Sequence, residues 1–370
     1  MKTISQDVRR QAGQLLIMGF EGTEMSSHLM RRLAEIRPAG VILFARNINT
    51  PQQTWKLLRD VQRAVEEPMF FCVDMEGGKV DRFRDVLGPS PAAADIFASQ
   101  DRDVYRRHGR VIGNTVKALG FNTDFAPVFD LGLETSRTVL SSRTVSVKPK
   151  ETIVYTREFL RGLKDAGVLG CGKHFPGLGG ANLDSHHELP IVNRSWKQLW
   201  EEDLLPYRTL HQSVPFIMVA HAGYPAVTRD NLPASLSKKW MSRILRDKIG
   251  YRGLIISDDL DMGGVLAAAP IEEAAVETIR AGADMFLVCQ QEENAPRTFE
   301  AVIREAEKDR KFAKRVSECS QHVLAKKKKQ HALKTAAPPP TPKVLDRLRR
   351  ELWELGEQVR MEAVGQEAGA

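Results

Sequence analysis

Short, continuous apolar runs recur along the chain, and segments with helical spacing separate them. The runs cover residues 15–20, 41–45, 69–74, 121–126, 168–173, 216–220, 254–258 and 285–288. Helical spacing fills the intervals, for example over 104–119 and 152–166. Runs that are apolar at every position are typical of strands covered on both faces. The pattern therefore predicts parallel strands, each followed by a helix.

Eight such strand–helix units in one chain indicate the fold class. Alternation of this kind favours a parallel sheet, and eight units favour its closure into a (β/α)₈ barrel of the TIM type, an α/β fold. A doubly wound open sheet is the alternative, but no Gly-x-Gly-x-x-Gly follows the first strand. We predict a single catalytic barrel domain over residues 1–330.

The C-terminal part of the chain has a different composition. Residues 331–342 are rich in proline and are predicted to form a linker, because proline disfavours helix. Residues 343–370 are predicted to be a charged helical tail, with a frayed end at 364–370. One face of the tail carries Val344, Leu348, Leu352, Leu355 and Val359. The tail can dock on the barrel, dock on a partner or remain mobile, and the pattern does not decide among these.

Composition narrows the compartment and the partners. Hydrophobic residues make up 42% of the chain, and the four cysteines are widely spaced, which indicates buried thiols in a reducing compartment. No apolar segment approaches the length of a membrane span, so a cytoplasmic protein is predicted. The net charge is +7, but residues 301–350 hold fifteen Lys and Arg against five Asp and Glu. That distribution favours a solvated basic segment over a nucleic-acid site.

Charged and imidazole side chains follow the predicted strands at the points where they end. They are Asp74, Asp124, Lys173 with His174, His221, and Asp258 with Asp259. In a barrel these positions converge on the carboxyl-end rim, where such enzymes keep their chemistry. One carboxylate of the last pair can cap the next helix. In the functional interpretation, Asp258 points into the barrel mouth and Asp259 faces the other way and serves structure.

The stretch 173–190 carries further candidate chemistry. Glycines 177, 179 and 180 allow sharp bends, and Asp184 and His186 stand two residues apart. An ordinary surface turn is the simpler alternative. Zinc binding by these side chains with His174 and His187 is another, but no His-x-x-x-His pair stands on a helix and no Cys takes part. We predict no metal and no organic cofactor.

The chain resembles the single-domain β-N-acetylglucosaminidases of glycoside hydrolase family 3, the cytoplasmic type that works in peptidoglycan recycling. The resemblance covers roughly residues 10–325 and rests on five motifs. They are Val73-Asp-Met-Glu-Gly-Gly-Lys-Val-Asp-Arg82, Gly120-Phe-Asn-Thr-Asp-Phe-Ala-Pro-Val128, Lys173-His-Phe-Pro-Gly177 with Asp184-Ser-His186, Ala220-His221 with Tyr224-Pro225, and Ser257-Asp-Asp-Leu260 with Met262.

The resemblance implies an exo-acting, retaining β-N-acetylhexosaminidase that removes terminal N-acetylglucosamine from muropeptides, without nucleic acid or membrane partners. Asp258 would be the nucleophile, His186 the general acid/base, and Asp184 the group that orients the imidazole. Histidine titrates near neutrality, which suits both halves of the reaction. The sugar-binding positions would be Asp74, accepting from hydroxyls, Lys173 and His174, donating to others, and Arg82 and Arg143.

Two departures from the family pattern leave the proposed catalytic groups in place. The loop reads Phe175-Pro-Gly-Leu-Gly-Gly-Ala181 where the family commonly has Phe-Pro-Gly-His-Gly-Asp-Thr. Lys79 and Asp81 replace the usual Arg and a neutral residue. The alternatives are a β-N-acetylglucosaminide phosphorylase using the same residues, and a non-catalytic sugar-binding barrel. A β-glucosidase of the two-domain type is disfavoured, because the chain ends before a second domain.

Overall fold

The computed structural model describes residues 2–181 and 189–368. Eight parallel strands form one sheet in the order β6-β3-β2-β1-β10-β9-β8-β7. These strands are β1 (Leu16–Met18), β2 (Gly40–Ile42), β3 (Phe70–Val73), β6 (Thr123–Asp124), β7 (Cys171–Phe175), β8 (Phe216–Val219), β9 (Leu254–Asp259) and β10 (Met285–Val288). A separate antiparallel hairpin consists of β4 (Met75–Gly77) and β5 (Val80–Asp81).

Hydrogen bonds between β6 and β7 close the sheet into a barrel. The Asp124 N–H donates to Leu169 O at 2.8 Å, and the Phe129 N–H donates to Lys173 O at 2.6 Å. Bridges pair Thr123 with Leu169 and Val128 with Lys173 in parallel register. The predicted (β/α)₈ barrel is therefore confirmed, and the open sheet is excluded.

Helices surround the barrel and bury their apolar faces against it. The helices are α1 (Lys2–Gly13), α2 (Ser27–Ile36), α3 (Pro51–Ala64), α4 (Arg84–Leu87), α5 (Ala93–Ala98), α6 (Arg102–Ala118), α7 (Arg137–Leu140), α8 (Pro149–Ala166), α9 (Trp196–Gln198), α10 (Leu205–Leu210), α11 (Pro225–Thr228), α12 (Gly263–Leu266), α13 (Ile271–Ala281), α14 (Asn294–Lys308), α15 (Arg310–Lys329) and α16 (Pro342–Ala368). Wider π-helical turns cover Leu199–Asp203 and Lys239–Lys248. Short 3₁₀ turns cover Ala45–Asn47, Glu134–Ser136, Ser141–Arg143, Ala234–Leu236 and His331–Leu333. In the described part of the chain, none of these helices is both long and apolar enough for a bilayer span.

Local sequence signals explain where several of these helices begin and end. The Ser26 side chain caps α2 by accepting the Leu29 N–H. Thr50 and Gln53 form a capping box at the start of α3, and Pro51 occupies its first turn. Gly167, with φ +78°, ends α8 in the left-handed conformation that glycine adopts without strain.

The tail helix docks on the barrel rather than extending from it. Leu348, Leu352 and Leu355 are almost fully buried, so the apolar stripe of α16 lies against the protein. Arg107 of α6 pairs with Glu354, and the Arg349 guanidinium donates to Val86 O just ahead of the α4–α5 connection. The linker is also held, because the Trp55 indole N–H donates to Ala337 O at 2.8 Å. The division into barrel, linker and tail remains a prediction.

A buried lysine closes the amino-end opening of the barrel. Lys327 of α15 is 2% exposed, its Nζ donates to Gln14 Oε1 at 2.9 Å, and it lies 5.3 Å from the centre of the Phe70 ring. Burial lowers the pKa of Lys327 to about 7, because the ammonium loses its water. The barrel floor therefore holds a base whose charge changes close to neutral pH.

We expect Lys327→Met to stabilise the protein more at pH 6 than at pH 9. An unfolded lysine titrates near 10.4, so between about pH 7 and pH 10 the unfolded chain binds one more proton than the folded chain. The destabilising contribution of Lys327 is therefore largest below pH 7 and declines as the pH rises. Thermal unfolding of the wild type and the variant at both pH values measures the difference. Lys328→Met, at an exposed neighbour, is the control, and an equal gain at both pH values contradicts the prediction.

Candidate active site

One cavity of about 410 Å³ lies at the carboxyl ends of the strands. Apolar side chains of the barrel interior, including Phe125, Met218 and Leu287, form its floor. Every predicted site residue that lies in the described part of the chain lines this cavity: Asp74, Arg82, Arg143, Lys173, His174 and Asp258. The other two predicted residues, Asp184 and His186, lie outside the described residues.

Two strand irregularities bring adjacent residues into the cavity together. On β7, the four residues from Gly172 to Phe175 lie opposite three on β8, so Lys173 and His174 occupy a bulge. On β9, the register from Ile256 to Asp259 is likewise one residue longer than on β10. A bulge interrupts the alternation of side chains between two faces. Both members of each pair therefore line the cavity, so Asp259 does not face away from it as expected. The expected structural role of Asp259 is confirmed, because its carboxylate accepts backbone N–H groups of Cys289 and Asp261.

A buried cluster of charges links the sugar-binding candidates. Lys173 Nζ lies 2.8 Å from Asp74 Oδ1 and 2.6 Å from Glu76 Oε1. Arg143 binds Glu76 through two nitrogens, with Nε at 2.8 Å from Oε2 and Nη2 at 2.9 Å from Oε1. Glu76 lies on β4, Lys173 on β7 and Arg143 in the 141–143 turn, and Asp74 lies between β3 and β4. The ion pairs therefore join these segments into one wall of the cavity.

The cluster remains charged despite its burial. Burial favours the neutral acid of Glu76, but Arg143 and Lys173 outweigh it and hold the pKa of this carboxyl well below its usual range. Burial also favours neutral Lys173, but Asp74 and Glu76 raise the pKa of this lysine above its ordinary value. The groups stay ionised because the loss of hydration of each charge is offset by an opposite charge at contact distance.

His174 is held by a carboxylate that the sequence analysis did not single out. Its Nδ1 lies 2.6 Å from Asp130 Oδ2, and the backbone N–H groups of His174 and Leu178 also donate to Asp130. The other ring nitrogen, Nε2, lies 3.4 Å from Arg143 Nη2 at the cavity. The expectation that His174 donates to a sugar hydroxyl remains a prediction. The only sequence signal for Asp130 was a carboxylate shortly after the strand ending at Asp124.

The two carboxylates that end β9 differ in ionisation. Burial opposes the charged form of Asp258, but the imidazoles of His174 and His221, the Asp259 N–H and Lys173 together lower its pKa. Burial and the neighbouring Asp261 raise the pKa of Asp259 to about 8. Asp259 Oδ1 accepts the N–H groups of Cys289 and Asp261, so this side chain joins β9 to β10. Near neutral pH the ionised carboxylate of the pair is Asp258.

Two rim residues from the sequence analysis serve the barrel and not the cavity. Asp124 is fully buried, accepts the Met75 N–H at 2.9 Å, and has its pKa raised well above the ordinary value by burial. His221 uses both ring nitrogens within the protein, on Ser235 Oγ at 2.7 Å and Asp259 O at 2.9 Å. Neither residue lines the cavity. The predicted convergence is therefore confirmed for the other charged and imidazole groups at the strand ends and wrong for these two.

An aromatic ring between two arginines forms the outer part of the cavity. The guanidinium carbons of Arg46 and Arg82 lie 4.7 and 5.5 Å from the centre of the Phe44 ring. Arg46 also pairs with Glu21 at 2.9 Å. Arg82 Nε is buried and has no hydrogen-bond partner among the described residues. Asp81 is one of the two residues near this hairpin that differ from the family pattern. It accepts hydrogen bonds from the Phe83 and Ser90 N–H groups and so holds the turn that carries Arg82.

The family model for the glycosyl hydrolase family 3 N-terminal domain matches residues 7–325. The chain belongs to glycoside hydrolase family 3. Its curated relatives in this family include β-hexosaminidases of Alkalilimnicola ehrlichii and Idiomarina loihiensis. The first is 38% identical over 288 residues, which are 76% of this chain and 82% of the relative. The second is 35% identical over 290 residues, which are 77% and 87% of the two chains.

Solved structures of family 3 proteins show the same architecture. A β-N-acetylglucosaminidase from Paenibacillus sp. superposes with a TM-score of 0.87 at 30% identity, over 94% of this chain and 68% of that one. Native NagZ from Neisseria gonorrhoeae superposes with a TM-score of 0.71 at 27% identity, over 85% of this chain and 97% of that one. The predicted family and the predicted enzyme class, a β-hexosaminidase-type glycosidase, are confirmed.

We expect Asp130→Asn to lower kcat/KM on an aryl β-hexosaminide by about 10-fold or more, because the amide no longer fixes the His174 proton on Nδ1. Steady-state kinetics of wild type and variant measure the effect. Asp284→Asn is the matched control. Asp284 Oδ1 lies 3.0 Å from His322 Nδ1, and neither residue lines the cavity. Equal losses in the two variants would assign Asp130 to stability alone.

Proposed function

We propose that the protein is an exo-acting, retaining β-N-acetylhexosaminidase that removes terminal β-linked N-acetylglucosamine from peptidoglycan fragments. The observation that carries the proposal is the ionised Asp258 carboxylate in a cavity that also holds the Asp74, Lys173 and Arg143 cluster. Polar groups that suit sugar hydroxyls and a carboxylate nucleophile thus line the same space. The apolar floor closes the cavity toward the barrel interior, which suits the terminal sugar of a chain.

In the proposed mechanism Asp258 attacks the anomeric carbon while the glycosidic bond breaks. His186 gives its proton to the leaving oxygen, and a glycosyl ester forms on Asp258. Water then gives a proton to His186 and attacks the same carbon, which releases Asp258 and retains the anomeric configuration. Asp184 orients the imidazole and stabilises its cationic form.

The residues that flank the 182–188 segment support the assignment of His186. On one side Leu178 lines the cavity, and the Ala181 N–H donates to Leu178 O at 2.9 Å. On the other side Gly223, close to the end of β8, exchanges backbone hydrogen bonds with Pro190 and Val192. The residues on both sides of the segment therefore lie near the carboxyl ends of β7 and β8, at the end of the barrel that holds the cavity.

We expect Asp258→Asn to abolish turnover of an aryl N-acetyl-β-glucosaminide without unfolding the protein, because the neutral amide cannot form the glycosyl ester. His186→Ala should lose far more activity on a poor leaving group than on a good one, because only the poor one needs a proton. Chromophore release and circular dichroism measure the two effects. The wild type should prefer this substrate over the matched aryl β-glucoside.

His187→Ala is the control for the loop, because it removes the neighbouring imidazole and leaves the proposed acid/base in place. An Asp258→Asn protein with wild-type turnover would remove Asp258 from its role. An equal loss in His186→Ala and His187→Ala would do the same for His186. Absence of turnover of either sugar by the folded wild type contradicts the proposed activity itself.

A phosphorylase is the second candidate, and Arg82 is the observation that favours it. Its guanidinium is at the cavity wall with Nε unpartnered among the described residues, so an anionic acceptor has a cation to bind. A histidine acid/base also brings no negative charge to repel phosphate. Faster turnover and glycosyl phosphate formation in phosphate buffer are the expected results for a phosphorylase, and purely hydrolytic product excludes it.

A further inference from the structure

Glu76 is a buried carboxylate that the proposed mechanism leaves without a role. It lies on β4, two residues after Asp74, and its side chain is 4% exposed. Its oxygens accept two hydrogen bonds from Arg143, at 2.8 and 2.9 Å, and Oε1 forms an ion pair with Lys173 Nζ at 2.6 Å. Both partners are residues to which we assign sugar contacts.

Glu76 and Asp74 differ in what they can still offer a ligand. Among the described residues Asp74 bonds only Lys173, through Oδ1, and its side chain is 17% exposed in the cavity. Asp74 Oδ2 is therefore available for a hydroxyl group. Both oxygens of Glu76 are already engaged by cations in a bidentate arrangement. Any effect of Glu76 on a bound sugar must pass through Arg143 and Lys173.

The contacts of Glu76 fix the direction of the donors that remain. Lys173 donates one N–H to Asp74 Oδ1 and forms an ion pair with Glu76 Oε1, so the two carboxylates fix the side of the ammonium that remains for a ligand. Arg143 gives Nε and Nη2 to Glu76, which leaves the Nη1 edge of the planar guanidinium for other partners. A bidentate pair also prevents the guanidinium from rotating.

Glu76 also makes it possible to bury two cations side by side. Arg143 and Lys173 repel each other, and Glu76 is the one carboxylate that contacts both within the described part of the chain. Without that charge, Lys173 would keep Asp74 as its partner, whereas Arg143 would have no carboxylate among the described residues. A buried charge in that position tends to move toward water or disturb its neighbours.

The hairpin that carries Glu76 is itself wedged against the protein. Gly77 and Gly78 have φ angles of +89° and +59°, and a Cβ at Gly77 would lie 2.2 Å from Pro91 O. The Gly78 N–H donates to Ser90 O at 3.1 Å. The backbone after Glu76 therefore approaches the 90–92 segment closely, which limits how far the carboxylate can shift.

We propose that Glu76 is a positioning residue for the sugar site, holding Arg143 and Lys173 in the geometry in which their free N–H groups meet the substrate. The inference rests on the proposed function, because it assigns the sugar contacts to those two residues. Glu76 does not touch the substrate and takes no part in proton transfer or bond formation.

The order of losses in two Glu76 variants tests the proposal. Glu76→Gln keeps the shape and removes the charge, whereas Glu76→Asp keeps the charge and shortens the side chain. If charge positions the two cations, Glu76→Gln loses more kcat/KM, by about 100-fold, the effect expected for a binding group displaced by about 1 Å. A role in packing alone predicts the reverse order, and that order overturns the proposal.

A double-mutant comparison with Arg143→Met tests the route of the effect. Glu76→Gln should cost less in the Arg143→Met background than in the wild type, because one of its two partners is already absent. Equal losses in both backgrounds contradict action through Arg143. Glu67→Gln is the matched control: Glu67 is a buried carboxylate paired with Arg10 at 2.7 Å, outside the cavity, and should leave kcat/KM unchanged.

Crystal structures of the wild type and Glu76→Gln provide a readout that does not need turnover. The proposal expects Arg143 or Lys173 to leave its wild-type position in the variant, and unchanged positions of both overturn it. If the wild type hydrolyses no hexosaminide, the proposed function is contradicted. The comparison of the two crystal structures still tests whether Glu76 positions Arg143 and Lys173. If Glu76→Gln does not fold, Glu76→Asp, whose shorter side chain cannot keep both wild-type contacts without movement of a partner, replaces it in the same comparison.

Discussion

The pleat of a β-strand limits what a barrel can place at its mouth. Successive side chains point to opposite faces, so a regular strand offers the cavity one side chain at each level. The bulges on β7 and β9 remove this limit at the two places where adjacent polar residues occur. Lys173 with His174, and Asp258 with Asp259, consequently line the same cavity. The site depends on these two irregularities more than on any single contact.

Placing this many charges in one cavity requires that they neutralise one another. Glu76 and Asp74 compensate Lys173 and Arg143, and Asp130 lies 2.6 Å from His174 Nδ1. Asp259, with its pKa raised to about 8, carries little charge at neutral pH beside Asp258. The nucleophile candidate is thereby the carboxylate of its pair that stays ionised, because its neighbours include His174 and Lys173 while those of Asp259 include Asp261.

The barrel could be predicted from the sequence, and so could the six predicted residues that line the cavity. The directions of the side chains could not. Eight continuous apolar runs are enough to predict parallel strands, because burial on both faces leaves no alternation. Asp259 was expected to face away from Asp258, because a regular strand was assumed and a bulge has no sequence signature here. Glu76 and Asp130 were missed as site residues for a related reason: their importance comes from partners about 67 and 44 positions away in sequence. The docking of α16 could not be predicted for the same reason, because an apolar stripe in the sequence does not show which surface it contacts.

The cluster also bears on which ligands the cavity can accept. Buried ion pairs contribute little to folding stability, since the loss of hydration offsets their attraction. What they provide is direction: within residues 2–181 and 189–368, an Asp74 oxygen, a Lys173 N–H and the Nη1 edge of Arg143 remain unused after the internal contacts are made. Polar groups left unpaired beside an apolar floor penalise any ligand that does not offer hydroxyls to them. We therefore expect the cavity to disfavour apolar rings, which supply no partners to these groups, and we expect its preference among sugars to depend on where the groups point.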